Sequence, residues 1–380
     1  MLIQISKIFL KILYHIPLIV CGYKSIPDLI QSCGPVYVKL AQIATTRQDI
    51  LPESLIRRLK SLQDHVPVPV YLPKEGLTNS GSIALIYEIE PNKKILKIKR
   101  PNIDQEIQTN IKFLTYLLES RLLNYLSTKY ASFHNMKELL TTLQLDLNQH
   151  LDFEQEASNQ IRIKSLFNSN SQVLIPKVYS SNQNEIVMEK INGVGLDEIS
   201  LSKCQNIEIP IRNLLESVFD MIFVHRVVHC DLHEGNILVC PNEKLALLDF
   251  AIISEISEQS LTYLIKFFLL CIQKDYSSLA DCITSKQTIS NTNALIKFKL
   301  DMKQVFDMYE FNDTYRFLNK IIQTCLDNRI QLEHTLLGPL LTIIQAEGIA
   351  RKYTNQSFIS LVSERFNLLD LFSVCCPKRK

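Results

Sequence analysis

Three residues of this 380-residue chain have the types and spacing that phosphoryl transfer requires. The stretch reads His229-Cys230-Asp231-Leu232-His233-Glu234-Gly235-Asn236, and Leu248-Asp249-Phe250 follows. Phosphoryl transfer needs little covalent work from a protein. It needs a positioned metal, neutralised charge and one acceptor for the nucleophile's proton. Asp231 is read as that acceptor, or as the group that positions the nucleophile. Asn236 lies five residues on, and Asp249 closes the next expected strand. Both are read as oxygen ligands for Mg2+, which favours one or two carboxylates together with phosphate oxygens. An Asp followed by an Asn at that spacing is a weak signal alone. The full string, with an apolar strand and Leu-Asp-Phe behind it, is specific.

Such a site also needs a lysine for the nucleotide phosphates and a glutamate to hold it. Lys97 fits the first role, set among aliphatic residues in Ile95-Leu96-Lys97-Ile98. Lys93, Lys94 and Lys99 flank a turn or precede Arg100-Pro101. Glu154 and Glu156 both sit in Asp152-Phe153-Glu154-Gln155-Glu156-Ala157, and spacing does not choose between them. Asn79-Ser80-Gly81-Ser82 is a short turn of small polar residues whose backbone N–H groups can approach phosphate, a weak signal on its own.

The elements that must position these groups follow from periodicity and punctuation. Leu55, Leu59 and Leu62 mark a helix, and Pro67, Pro69 and Pro73 an extended linker. Residues 82–90 and 94–99 read as a hairpin turning at Pro91-Asn92. Helices follow over 103–167, then strands over 174–179 and 185–189, and a joint at Asn192-Gly193 and Gly195. A helix over 210–225, strands over 237–240 and 245–248, and helices over 257–372 complete the chain. The expected class is α+β, a two-lobed kinase-like fold. Residues 1–70 form a helical extension, 71–191 an N-lobe with inserted helices, and 192–380 a mostly helical C-lobe.

Composition sets the bounds. The chain is 46% hydrophobic and 21% charged, which suits a folded core. With 41 Lys and Arg against 39 Asp and Glu, the net charge of +2 gives no case for a nucleic-acid partner. The ten cysteines include no Cys-x-x-Cys, so reduced, buried thiols are expected rather than a zinc ribbon. In the first 23 residues Lys7, Lys11 and His15 recur on one helix face, opposite apolar residues. That pattern predicts an amphipathic helix on a membrane surface or on the C-terminal lobe, and no transmembrane span.

Taken together, these residues resemble the UbiB family of atypical kinase-like ATPases. The resemblance is carried by Gly34-Pro35, Lys39-Leu40-Ala41-Gln42, Arg47 and Asp49 to Pro52, against the family's K-x-G-Q segment. Leu62 to Pro67, Gly81 to Ala84, Lys97 to Pro101, Asp152 to Asn159 and Glu347-Gly348 extend it over most of the chain. It implies that Glu156 is the partner of Lys97, and that Lys39 and Gln42 come from an extension folded over the active site, where a protein substrate would otherwise lie. It implies nucleotide contacts at Ser80, Gly81, Ser82, Ala84, Lys97, Met188 and Glu189. ATP or ADP with Mg2+ is the expected cofactor set. The expected partners are a lipid or isoprenoid-quinone precursor and a membrane surface, and the expected setting is membrane-associated or organellar, mitochondrion-like.

The chain departs from the family pattern in four places. Ala41 stands for the glycine of K-x-G-Q, Ala251 for the glycine after Asp249-Phe250, and Glu234 for a proline. The alanine-rich loop is reduced to Ser80-Gly81-Ser82. Two other readings follow. One is a pseudokinase-like module that uses nucleotide to switch its grip on a lipid or partner. The other is an aminoglycoside- or choline-kinase-like enzyme, against which the segment from Lys39 to Pro52 argues. Cys375 and Cys376 beside a basic tail are read as disordered or acylated.

Overall fold

The computed structural model describes residues 10–365, apart from 12–13, 16, 20, 47–57, 60–72, 74, 120–143, 200–205, 286–291, 311–312, 329 and 331. Lys7, Leu55, Leu62, the linker at Pro67 and Pro69, and the Cys375-Cys376 tail lie outside the described residues.

In chain order the helices are α1 (Ile26–Cys33), α2 (Pro35–Thr46), α3 (Ile103–Leu118), α4 (Phe153–Leu166), α5 (Glu208–Phe219) and α6 (Glu258–Ile272). Then come α7 (Tyr276–Thr284), α8 (Thr292–Met308), α9 (Thr314–Asp327), α10 (His334–Tyr353) and α11 (Phe358–Arg365). The strands are β1 (Leu77–Ser80), β2 (Ala84–Glu90), β3 (Lys94–Lys99), β4 (Val173–Leu174), β5 (Val178–Ser181) and β6 (Glu185–Glu189). The remaining strands are β7 (Val194–Gly195), β8 (Val227–His229), β9 (Ile237–Cys240), β10 (Lys244–Leu247) and β11 (Ile253–Glu255). They fall into two compact units, Met1–Lys164 with Pro176–Asn192, and Ser165–Ile175 with Gly193–Lys380.

The first unit is built on an antiparallel sheet in the order β1-β2-β3-β6-β5. Asn92, at φ 57°, makes the β2–β3 turn, a left-handed conformation that asparagine tolerates better than most residues. The strand expected over 82–90 begins only at Ala84. Residues 77–80 form a strand of their own, and the Gly81 N–H closes the turn onto the Ala84 carbonyl at 3.0 Å. One sheet face carries Ala84, Ile186 and Met188 against Phe153 and Ala157 of α4. A second cluster joins Val36 and Leu40 of α2 to Ile83, Ile103, Ile107 and Leu147.

In the N-terminal helix the polar face is the one that packs inward, with His15 buried, and the apolar side chains Leu10 and Tyr14 point outward. The reason is polar satisfaction. Lys11 Nζ donates to the Ser32 carbonyl near the end of α1, one of the carbonyls a helix leaves unpaired. Lys24 Nζ donates to His15 Nε2 at 3.2 Å, and His15 Nδ1 donates to the Lys11 carbonyl at 2.9 Å.

In the second unit the order is β4-β10-β9-β7, with β8 and β11 paired separately. The single strand expected over 174–179 is split. Its first part joins β10 in this unit, and its second joins β6 in the other. Pro176, which has no N–H to give a ladder, lies at the break. Gly193 is needed where it stands, because a Cβ there would lie 2.9 Å from Leu238 Cβ and 3.0 Å from the Val239 carbonyl oxygen. The helix expected over 210–225 is α5 followed by a wider π turn, Asp220–Val224. On α10, Leu336, Leu340, Ile343 and Ala350 form a buried stripe at helical spacing, and Glu347 lies on the same stripe. Among the described residues, no helix is long and apolar enough to cross a membrane.

Candidate active site

In the first unit, β3 and α4 bring Lys97 and Glu156 together. The start of α4 is set by Asp152, whose carboxylate accepts from the Gln155 N–H at 2.9 Å, the usual work of an N-terminal cap. With that start fixed, Phe153, Glu156, Ala157, Gln160 and Ile163 are buried and Glu154 is exposed. Lys97 Nζ lies 2.5 Å from Glu156 Oε1, the two side chains being 12% and 1% exposed. The ammonium also sits 5.3 Å from the Phe153 ring centroid, a favourable cation–π distance. Lys99 takes a different partner, Asp104, at 3.2 Å. Lys93 and Lys94 pair with Glu90.

The turn between β1 and β2 is held from two sides. Arg100, itself buried, donates from Nε to the Gly81 carbonyl at 2.8 Å and from a terminal nitrogen to Ser80 Oγ at 2.7 Å. Ser82 Oγ donates to Gln42 Oε1 of α2 at 3.4 Å. Lys39, one turn before Gln42, is half-buried. Ala41 lies elsewhere on the helix, buried in a cluster with Val38 and Leu59. Its methyl therefore fills a helix-packing contact. Of the expected nucleotide contacts, Ala84 and Met188 share the apolar cluster beside Lys97. Glu189 does not join them. Its carboxylate accepts from the Lys177 N–H at 3.0 Å and lies 3.9 Å from Lys164 Nζ.

In the second unit, strand pairing brings Asn236, Asp249 and the loop from Cys230 together. Leu247 pairs with Ile237 across the β9–β10 ladder, and the Leu248 N–H donates to the Asn236 carbonyl at 2.9 Å. Asn236 and Asp249 therefore flank the same end of one hairpin. The β8–β11 pair places the Cys230 N–H on the Ile252 carbonyl at 3.0 Å, so the loop starting at Cys230 begins beside the segment after Asp249. Asn236 Nδ2 donates to the Asp231 carbonyl at 3.0 Å, which leaves Oδ1 of that amide for a cation. Asp249 sits at φ 55°, and its Oδ1 accepts from the Ala251 N–H at 3.2 Å. That local ring is how aspartate stabilises a turn. Ala251 is buried and is not among the described residues with positive φ, so the turn does not need a glycine there.

Two histidines complete the loop. His229 is fully buried, and burial holds its pKa below the ordinary value. Nε2 donates to the Leu248 carbonyl at 3.2 Å, and the ring lies 5.4 Å from that of Phe250. His233 Nε2 stands 4.0 Å from Asp231 Oδ2. Gly235 makes room for that ring, since a Cβ there would come within 3.1 Å of two of its atoms.

The sequence did not single out Arg100, Thr342 or Lys352. Arg100 adjoins the lysine motif. Thr342, which donates to the His229 carbonyl at 3.1 Å, and Lys352 carry no local signal.

The family profile described as the ABC1 atypical kinase-like domain matches residues 79–283. Curated relatives include a protein named "Probable protein kinase UbiB" from Shewanella frigidimarina, 26% identical over 85% of this chain and 65% of its own length. A protein of the same name from Marinobacter nauticus is 24% identical over the same shares. The chain thus spans about 65% of the length of these relatives. Among solved structures, Rv3197 of Mycobacterium tuberculosis, determined in complex with erythromycin, is similar with a TM-score of 0.54 at 18% identity, over 77% of this chain and 76% of that one. It shares the fold. With the profile matching more than half of its length, the chain belongs to the ABC1/UbiB family of atypical kinase-like proteins.

Proposed function

We propose that the chain binds Mg2+ with ATP or ADP as an atypical kinase or ATPase, and that it acts in ubiquinone or lipid-linked metabolism rather than on proteins. The observation that carries this reading is the buried pair of Lys97 and Glu156. Such a pair is a poor device for stability, because apolar residues of similar volume serve a core as well or better. It is what fixing a phosphate-binding lysine calls for.

On this reading Lys97 and the turn at Ser80, Gly81 and Ser82 meet the phosphates, while Ala84 and Met188 offer an apolar surface to the base. Asn236 and Asp249 hold Mg2+. Their oxygens are the hard donors this ion prefers. Such an ion completes its shell with phosphate oxygens and water. When bound, the ion supplies charge neutralisation. Asp231 accepts the proton of the attacking hydroxyl or water, or holds that group in place. Gln42 touches the turn at Ser82, so α2 lies beside the phosphate turn, ground that a protein substrate would require. The exposed Leu10 and Tyr14 offer an apolar face to a membrane.

The nucleotide-switched binding-module reading drew on Ala41 and Ala251. One methyl fills a packing contact and the other sits at an ordinary backbone angle, so neither supplies a structural reason for lost turnover.

The test is Mg2+-dependent ATP hydrolysis by the native chain and Asp231→Asn, with and without vesicles carrying an isoprenoid-quinone precursor. Loss of a positioned proton acceptor should slow turnover by about a hundredfold or more. Full turnover in Asp231→Asn would remove that residue from the reaction.

A further inference from the structure

The loop carrying Asp231 and Asn236 is tied to α10 at two points. Thr342 holds the His229 carbonyl at its start. Further along, Lys352 Nζ reaches both carboxylate oxygens of Glu234, at 3.0 and 2.7 Å. Glu234 opens the tight turn Glu234–Asn236. His233 before it is extended, at φ −137° and ψ 164°, and the Ile237 N–H closes back onto the Glu234 carbonyl. The Asn236 N–H closes onto the His233 carbonyl at 2.9 Å. These are the surroundings in which a proline is favoured. The residue before proline prefers the extended region, and proline is favoured at the first position of a helical turn. Here no ring constrains the turn. Instead a glutamate side chain, 19% exposed, is tied to a lysine from the last turn of α10.

We propose that the Glu234–Lys352 ion pair does in this chain what a proline ring would do at that turn. It holds the backbone of residues 234–236 and so sets the Asn236 amide, making Lys352 a positioning residue for the metal ligand. The inference rests on the reading of Asn236 as a Mg2+ ligand, but the pin itself is measurable without nucleotide. A pin removes the local opening of the turn, so its loss must show as faster amide exchange there. A proline at 234 makes it redundant.

The experiment compares native protein, Lys352→Met, Lys352→Arg, Glu234→Pro and the double variant Glu234→Pro/Lys352→Met. Amide hydrogen exchange is followed in peptides spanning residues 229–240 of the ligand-free chain. Lys352→Met should exchange about two- to fivefold faster there, the range an ion pair of this exposure allows. Lys352→Arg should match native. The double variant should match Glu234→Pro. With ATP present, the Mg2+ concentration giving half the thermal shift should rise by a similar factor in Lys352→Met and not in the double variant. Native exchange in Lys352→Met, or equal acceleration by Lys352→Met in both backgrounds, would overturn the proposal. A native chain that ignores Mg2+ and ATP would instead overturn the nucleotide reading, while the exchange data still decide the pin.

Discussion

Asn236 reaches back five residues and donates its side-chain N–H to the carbonyl of Asp231, at 3.0 Å and out of water. The bond binds the proposed metal ligand to the proposed proton acceptor, so a change at Asn236 has two separable effects. Asn236→Leu leaves a buried carbonyl without its donor, which costs about 1–3 kcal/mol, and it removes the amide oxygen. Both stability and the response to Mg2+ should fall. Asn236→Asp keeps an oxygen for the cation while losing the donor. It should lose stability, by chemical denaturation, yet keep a Mg2+-dependent thermal shift with ATP.

Lys97 and Glu156 should be costly to separate and cheaper to remove together. Taking away one partner of a buried pair leaves the other uncompensated, a loss of about 3–5 kcal/mol. Lys97→Met and Glu156→Gln should each approach that loss in urea midpoints. Residues in contact do not add, so Lys97→Met/Glu156→Gln should lose clearly less than the sum. Additive losses would mean that the pair is not coupled.

Glu347 predicts a pH dependence of stability. Burial pushes its pKa up from 4.5 to about 7, against the opposing pull of the Phe358 N–H, the Thr314 hydroxyl and Arg351. A carboxyl raised in the folded state stabilises the fold fully below its unfolded value. That contribution is lost between about pH 4.5 and 7, because the unfolded chain gives up its proton first. The interval corresponds to about 3 kcal/mol. Glu347→Gln keeps an acceptor for the Phe358 N–H and has no proton to lose. Relative to that variant, the native chain should lose stability from pH 5 to 7.5. A constant difference would contradict the assignment.

The spacing of polar residues was the most legible part of the candidate site. Asp231, Asn236 and Asp249 could be picked out because a loop between a strand pair leaves a fixed string. Lys97 was separable from Lys99 by its apolar neighbours, although each has its own carboxylate partner in the fold. The choice between Glu154 and Glu156 was not legible from spacing, because it depends on where Asp152 starts α4. The strands Val227–His229 and Ile253–Glu255 are too short for a period to show. Arg100 clamps a turn across 20 residues, and Lys352 pins one across 118. Contacts at such separations leave no mark in a local window. At the N-terminus the partners of Lys11 and His15, the Ser32 carbonyl of α1 and Lys24, were likewise not legible from the amphipathic pattern.

The most direct test of the central claim is thermal unfolding with ATP or ADP, with and without Mg2+, for the native chain and Asp249→Asn. A ligand that binds only the folded state raises the midpoint by mass action, contributing about 2.7 kcal/mol at a hundredfold excess over Kd. Asp249→Asn preserves the oxygen that accepts from Ala251 and removes the charge offered to the metal. Nucleotide binding through this metal site predicts a Mg2+-dependent rise in the native midpoint that is lost in Asp249→Asn. No rise with either nucleotide at saturating Mg2+, or an equal rise in both proteins, would contradict it.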